Sequence, residues 1–277
     1  MDIANGSNIY QVGKAVAEAD GYHLYLCVQE ETGRQCLLQI AAETANNGDL
    51  DRAAYILREL KKSAQEVEDE YAKIKKDPKI LLNYKLSFPR LVDSFSCQEQ
   101  GGRRINILHF RKIKEVGDVV PLSNITLKDQ LRVDLRTSVW ILGKLLKLFV
   151  FTQSEFFSVG LVNGNNILIA HKANQRYVLI FDWSKGQMHP GGVPMETRRQ
   201  EISQAAQAVI AVLGGDFQTG YIPDDGEPAF QQYADHLFRL ARGSESDATR
   251  AHAKFYELVD MFWKREFYPF TTLPLDR

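Results

Sequence analysis

Apolar residues gather in three short runs within the first forty residues, and polar turn residues separate them. The runs are "NIYQVGKAVA", "YHLYLCVQ" and "RQCLLQIA", rich in β-branched, aromatic and aliphatic residues that favour strands. Asp20-Gly21 is a hairpin signal between the first two runs, and "EETG" is a second turn. The pattern therefore predicts an antiparallel meander of three strands.

A helical period follows the meander. The repeat has four-three spacing and forms one apolar stripe on a long helix, with Asp49 or Asp51 as the predicted N-cap. The stripe consists of Ala53, Leu57, Leu60, Ala64, Val67, Tyr71 and Ile74. A meander must cover one of its faces, so we expect this helix to pack on the sheet, and a short coiled-coil arm is the alternative.

Two more strand-like runs, "RLVDSFSCQ" and "GGRRINILHF", come next and are joined at Gly101-Gly102. A polar connector, "RKIKEVGDVVPLS", separates them from a mainly helical remainder. The predicted domains are residues 1–111, a β-rich lobe, and residues 112–277, a helical lobe. Helices are predicted within 127–157 and at 197–213, 229–242 and 247–267, with Gly214-Gly215 ending the second.

A hairpin interrupts the helical part, in the stretch "GLVNGNNILIAHKANQRYVLIFDWSKG". We place this hairpin at residues 166–182, with the runs "ILIA" and "YVLIF" as its strands and a polar turn between them. Antiparallel pairing puts Asn166 and Asp182 at the same end, on strands about 5 Å apart. An amide oxygen and a carboxylate at that separation suit Mg²⁺, which takes one or two protein oxygens and fills its octahedron with phosphate and water. The alternative is that both side chains only cap turns.

Charge and cysteine usage narrow the class of protein. The formal net charge is -1, from 34 basic and 35 acidic residues, which argues against a dedicated nucleic-acid or membrane-surface protein. Cys27, Cys36 and Cys97 are widely spaced and form no CxxC pair, so we expect no zinc site. The most apolar run, "SVWILGKLLKLFVF", contains two lysines and indicates a buried helix. Without an apolar leader in "MDIANGSNIY", the expected location is the cytoplasm.

Taken together, these elements resemble the protein kinase fold. "LVNGNNILI" is similar to the end of the kinase catalytic loop, and "LIFDWSKG" to the strand that leads into the Asp-Phe-Gly motif. The resemblance implies an α+β, bilobal protein kinase-like fold: a small antiparallel N-lobe with five strands and one long helix, and a larger α-helical C-lobe with the hairpin. The chain looks like a degenerate homologue of bacterial-type Ser/Thr kinases.

Several of the residues that differ from kinases stand at the positions where kinases bind the nucleotide. Ala17, Ala19 and Tyr22 stand where the phosphate-covering loop has glycines, and Gln39 stands where strand three has its phosphate-binding lysine. Glutamine supplies no charge, so the ion pair that positions an active kinase is missing. The glutamates that could face it are Glu59, Glu66 and Glu70, although a solvated helix face explains all three.

The catalytic loop also lacks its chemistry. The His-Arg-Asp triplet maps to Val159, Gly160 and Leu161, and a leucine cannot accept the proton of a substrate hydroxyl, a role worth about 10²–10⁴ in rate. No residue from Ser158 to Asn166 is charged. Asn163 replaces a lysine that contacts the phosphate.

A few residues of the family pattern remain. Asn166 and Asp182 match the metal ligands, while Trp183 and Ser184 replace the Phe and Gly that follow the aspartate. Lys185 is close enough in sequence to neutralise Asp182 in place of a metal. Glu201 matches the acid that braces the catalytic loop, or is an ordinary helix glutamate.

These features predict a pseudokinase: a regulatory or scaffolding module that binds a protein partner and neither nucleic acid nor membrane. No catalytic residue is assigned, and Leu161 occupies the place of the catalytic aspartate. The candidate nucleotide-binding residues are Ala17, Ala19, Gln39, Asn166 and Asp182, with ATP and Mg²⁺ as candidate ligands. The alternative is an enzyme with non-standard ATP-dependent transfer chemistry that uses Asn166 and Asp182 as metal ligands.

Overall fold

The computed structural model describes residues 2–75, 82–170, 177–264 and 266–275. The contacts divide the chain into two compact units. The first contains the chain through Val119 together with Asp182–Gly186, and the second contains Val120–Phe181 and Gln187 onward. The sequence placed the boundary after residue 111, whereas the first unit extends to Val119 and also includes the short segment that follows the hairpin.

The first unit is built on an antiparallel sheet in the order β1-β2-β3-β4-β6-β5. The strands are β1 (Asp2–Asn5), β2 (Asn8–Ala19), β3 (Tyr22–Gln29), β4 (Arg34–Ala41), β5 (Arg90–Cys97) and β6 (Arg103–His109). The five predicted strands are present, and β1 is a sixth, because the chain turns back at Gly6 and pairs Asn5 with Asn8. The runs of apolar side chains that predicted β2 to β6 supply the buried core of the sheet, including all three cysteines, which are free thiols.

Asp93 joins the two edges of this sheet. Its carboxylate accepts hydrogen bonds from Asn5 Nδ2 at 2.9 Å and from the Tyr10 hydroxyl at 3.1 Å, although Asp93 lies on β5 and the other two lie on β1 and β2. Burial raises the pKa of the Tyr10 hydroxyl, and the charge of Asp93 raises it further. The sheet is therefore curled, with its first and last strands tied together.

The long helix α1 (Asn47–Lys75) packs on β5 and β6, as expected from its apolar stripe. It begins at Asn47, so the prediction of an Asp49 or Asp51 cap is wrong. The Asn47 side chain accepts from Arg104 N at 2.7 Å and donates to Gly102 O at 3.0 Å, which fixes the first turn against β6. Four stripe residues are buried, but Ile74 near the end of the helix is exposed.

The second unit is mainly helical. Its helices are α2 (Ser123–Leu127), α3 (Leu135–Ser154), α4 (Met195–Val212), α5 (Phe230–Ala241) and α6 (Ala248–Phe262). Its short strands are β7 (Val119–Pro121), β8 (Leu131–Val133), β9 (Phe157–Ser158), β10 (Ile167–Ala170), β11 (Tyr177–Ile180), β12 (Gln187–Met188) and β13 (Thr272–Pro274). Helix α3 carries most of the apolar run predicted to be buried, and it packs against α4 and α6.

Two details of the second unit differ from or refine the sequence prediction. Helix α6 ends at Phe262, before the predicted residue 267, because the chain becomes extended at Trp263 and later adds β13 to β8. The hairpin is confirmed, with Ile167 opposite Ile180, and its predicted polar turn at 171–176 lies outside the described residues. Among the helices that the structure describes, none combines the length and apolar character needed to cross a bilayer.

Candidate functional site

The start of the hairpin lies in a loop that is held by its own polar groups. The Asn163 side chain accepts from the backbone amides of Asn165 and Asn166, both at 3.0 Å, and Asn166 Nδ2 donates to Leu161 O at 2.7 Å. The carbonyl of Asn166 also accepts from Phe181 N at 3.1 Å and extends the pairing of β10 and β11 by one residue. In the comparison with kinases, Asn163 stands at the position of a lysine that contacts the phosphate. In this structure its side chain holds the loop through the two hydrogen bonds to backbone amides.

Glu201 braces the segment before this loop. It lies on α4, is almost fully buried, and accepts hydrogen bonds from Val159 N at 2.5 Å and from Gly160 N at 3.3 Å. Burial raises its pKa to about 7, while the two amides and the Gln153 side chain favour the charged form. The sequence left two interpretations of Glu201 open. These contacts confirm that it is the acid that braces the loop, and the interpretation as an ordinary helix glutamate is wrong.

Tyr22, Gln39 and Asp182 meet inside the first unit. The hydroxyl of Tyr22 lies beside the side chains of Gln39 and Asp182, and Tyr22 and Gln39 are only 4% and 1% exposed. Strand register explains the meeting. Tyr22 pairs with Ala41 and Leu24 pairs with Gln39, so Tyr22 and Gln39 are diagonal neighbours on one face of the sheet.

The carboxylate of Asp182 has further partners next to it in the chain. Ser184 N donates to Oδ1 at 2.8 Å, and Ser184 Oγ donates to Oδ2 at 3.1 Å. Burial raises the pKa of Asp182, and these hydrogen bonds together with Tyr22 oppose that shift. The neighbouring Trp183 is buried and lies edge-on to Phe88, with ring centroids 6.4 Å apart.

Lys185 forms ion pairs with Asp20 at 3.1 Å and with Asp49 at 3.3 Å, rather than with Asp182. Asp20 is at the turn between β2 and β3, and Asp49 is in the first turn of α1. Arg52 adds a contact to Asp49 at 3.0 Å and donates to Ser184 O at 2.7 Å. The charge of Lys185 also lowers the pKa of Asp182, so the suggestion that this lysine neutralises Asp182 stays a prediction. Its ion pairs attach the segment Asp182–Gly186 to α1 and to the turn.

Ala17 and Ala19 belong to the ladder of β2 and β3, where they pair with Leu24 and Tyr22. Gly21 provides the turn, at a φ of +93°, and a Cβ there would lie 3.3 Å from the Asn46 side chain. Glycine is required at this turn because the chain passes close to the start of α1.

The three helix glutamates that were candidates to face Gln39 differ in their exposure. Glu66 and Glu70 are exposed and Glu59 is half-buried. The glutamate of α1 that forms a defined contact is Glu68, which the sequence did not single out. It pairs with Lys85 Nζ at 2.9 Å and accepts from Lys85 N at 3.0 Å.

The residues of the first unit do not suit a phosphate–magnesium group of the kinase type. The position that the resemblance assigns to the phosphate-binding lysine holds the neutral and buried Gln39. The carboxylate that would ligate the ion accepts hydrogen bonds from Ser184 and lies beside the Tyr22 hydroxyl. Within the described ranges there is also no cluster of three or more His, Cys, Asp or Glu residues that could hold a metal. The assignment of Asn166 and Asp182 as metal ligands stays a prediction.

The sequence indicated Asp20 only as a turn residue and Ser184 only as a replaced motif residue, and it did not single out Arg52. All three help to hold the segment after the hairpin. The Tyr22 contact could have been found from the predicted register, because the two turns fix which residues of β3 and β4 lie on one face. The contacts of Arg52 and Asp20 carry no local signal, since their partners are more than a hundred residues away in the chain.

Comparison with known proteins identifies the fold. No protein-family model and no curated protein matches the sequence. The solved structure of vaccinia related kinase 3 is similar over 94% of this chain and 90% of its own, with a TM-score of 0.65 and 12% identity. The kinase domain of Mycobacterium tuberculosis PknI, solved as a double mutant, is similar over 90% of this chain and 95% of its own, with a TM-score of 0.56 and 12% identity. This chain has an α+β protein kinase-like fold.

Proposed function

We propose that this chain is a pseudokinase: a cytoplasmic, kinase-fold interaction module that regulates or scaffolds a protein partner and does not transfer phosphate. The observation that carries the proposal is the group of Tyr22, Gln39 and Asp182, in which the Tyr22 hydroxyl lies beside the other two side chains and Asp182 accepts hydrogen bonds from Ser184. This group supplies no positive charge to a phosphate. Asp182, the candidate metal ligand, already accepts hydrogen bonds from the protein. The three free thiols agree with a reducing compartment.

The catalytic loop supports the same proposal. Leu161 stands in the place of the general base, and its carbonyl is bonded to the Asn166 side chain. The loop from Ser158 to Asn166 has no charged side chain that could orient a hydroxyl or stabilise a transferred phosphoryl group. The surrounding fold is nevertheless well packed, so the chain keeps a rigid surface that a partner can recognise.

Nucleotide binding tests the proposal. We expect no change in melting temperature with millimolar ATP, with or without Mg²⁺, whereas a ligand at a hundred times its Kd would stabilise the fold by about 2.7 kcal/mol. Calorimetry on the wild type, Asp182→Ala and the matched exposed variant Asp129→Ala should show no heat that depends on Asp182.

Transfer assays with ATP labelled separately at the α- and γ-phosphates complete the test. We expect no label on protein or small-molecule acceptors from either position. Transfer of γ-label that is lost in Asp182→Ala but kept in Asp129→Ala would overturn the proposal in favour of an active kinase. Transfer of α-label with the same dependence would instead favour the non-standard chemistry.

A further inference from the structure

Helices α5 and α6 of the second unit border a groove with two compartments. The larger compartment has a volume of about 710 Å³ and the smaller one about 410 Å³. Arg239 and Leu258 line both compartments, so the two are adjacent along the helices. We call this surface the α5–α6 groove.

The larger compartment has an aromatic wall. Tyr221, Phe230 and Phe238 line it, and Tyr221 is 56% exposed. The guanidinium of Arg242 lies over the Phe238 ring, 5.8 Å from its centroid. Aromatic and arginine side chains grouped in a concave surface are typical of the parts of interfaces that dominate binding.

The smaller compartment contains a buried histidine next to two cations. His236 is 7% exposed, and its Nε2 atom has no hydrogen-bond partner in the part of the chain that the structure describes. Burial lowers the pKa of His236 to about 4, and Arg239 and Lys254 lower it further, so the ring is neutral at physiological pH. The compartment therefore has its positive charge on Arg239 and Lys254.

These two cations are weakly committed to other protein groups. Arg239 forms no ion pair within the described ranges, and Lys254 is 3.6 Å from Glu245. Glu245 already receives Arg250 Nε at 2.8 Å together with two backbone amides, and its pKa is lowered to about 2, with Arg250 as the main cause. An added carboxylate could therefore pair with Arg239 and Lys254 without displacing a strong existing bond.

The acidic residues of the groove limit the ligand to a small negative charge. Asp235 lines the larger compartment, and Glu257 and the Arg250-paired Glu245 line the smaller one. A polyanion such as nucleic acid would meet all three carboxylates, and juxtaposed like charges oppose binding. A single carboxylate beside an apolar group fits the two compartments together.

We propose that the α5–α6 groove binds a short peptide segment of a partner protein that carries one Asp or Glu close to an aromatic or aliphatic residue. The apolar side chain would lie against Tyr221 and Phe238, and the carboxylate would pair with Arg239 and Lys254. This inference rests on the proposed function and specifies the partner surface of the interaction module.

The test uses the full chain without nucleotide and a displayed library of random twelve-residue peptides, of a length about that of a typical linear motif. We expect the enriched peptides to combine one acidic residue with a nearby aromatic or aliphatic residue. Fluorescently labelled copies should lose about ten-fold in affinity with Arg239→Glu and with Tyr221→Ala, and binding should weaken as salt increases. The matched controls are Lys128→Glu and Leu127→Ala, which change exposed residues at the end of α2.

No enrichment, or enriched peptides that bind Arg239→Glu and Tyr221→Ala as tightly as wild type, would overturn the proposal. Selection of basic or purely apolar peptides would overturn it as well. Circular dichroism melting of each variant distinguishes lost binding from lost folding. Phosphotransfer found in the separate assays would overturn the proposed function, whereas the peptide result depends only on the groove.

Discussion

Glu201 is a carboxylic acid in an environment that few acidic residues occupy. It is nearly fully buried on α4 and accepts hydrogen bonds from the backbone of the segment that holds the catalytic triplet in kinases. Burial raises its pKa from 4.5 to about 7. The carboxyl group therefore braces this segment from inside the second unit.

This shift predicts a pH-dependent stability. The folded state binds the proton of Glu201 more tightly than the unfolded state does. The contribution of Glu201 to stability is therefore largest below pH 4.5, and it falls as the pH rises towards about 7. The full loss is about 3 kcal/mol, at about 1.4 kcal/mol per pKa unit. Glu201→Gln keeps an oxygen acceptor without the charge, so we expect it to match wild type near pH 5 and to exceed it at pH 8.

Urea unfolding at the two pH values measures this difference. Glu196→Gln is the matched control, because Glu196 is an exposed residue in the first turn of the same helix. A gap between Glu201→Gln and wild type that does not change with pH would contradict the prediction. A variant that is less stable at both pH values would show that the amide cannot replace the carboxyl group.

At the scale of elements, helix starts show when a local signal is enough. Helix α6 begins after Asp247, whose side chain accepts a hydrogen bond from Arg250 N at 2.9 Å. This is the contact expected of an N-cap residue, which bonds the backbone amide three positions later. Helix α1 also offers aspartates near its start, but Asn47 begins it through contacts with β6. A capping residue identifies a helix start only if no tertiary contact fixes the first turn elsewhere.

The cap of α6 gives a prediction for this element. Asp247→Ala should lower the free energy of unfolding by about 1 kcal/mol, because the amide of Arg250 loses its acceptor. In a chain of this size, that corresponds to a decrease in melting temperature of about 2–4 °C. Thr249→Ala, an exposed change in the same turn, is the control and should leave the melting temperature within about 1 °C. Equal effects of the two changes would contradict the capping role.

At the scale of the whole molecule, the chain consists of two compact units, each with its own buried core. The surface carries nearly equal numbers of positive and negative side chains, and the calculated isoelectric point is about 6.6. With so little net charge at neutral pH, electrostatic repulsion between copies is weak.

We therefore expect the solubility of the protein to be lowest near pH 6.6 and to rise at pH 8.5, where net negative charge accumulates. Light scattering of concentrated samples at low ionic strength, measured from pH 5 to pH 9, checks this expectation. Tyr221→Asp should reduce scattering near the minimum more than Leu127→Asp does, since Tyr221 belongs to the apolar groove. Scattering that is independent of pH would contradict the charge argument.

The sequence alone determined five of the six strands of the first sheet, the long helix, the hairpin and the residues in which the chain differs from kinases. Each of these depends on short-range information: the period of apolar residues, turn residues, or the identity of one residue in a motif. Gln39 has no positive charge and Leu161 has no proton acceptor, whichever way their side chains point. The sequence therefore shows these differences from kinases without any knowledge of the fold.

Only the tertiary structure decided how polar side chains pair. In the structure, Lys185 pairs with Asp20 and Asp49, and Tyr22 lies beside Gln39 and Asp182. Glu201 contacts the backbone of the segment that holds Val159 and Gly160. The tertiary structure also grouped Tyr221, from a loop, with cations of α5 and α6 in one groove. Such contacts join residues far apart in the chain, and their geometry depends on register, helix rotation and burial, which no local pattern encodes.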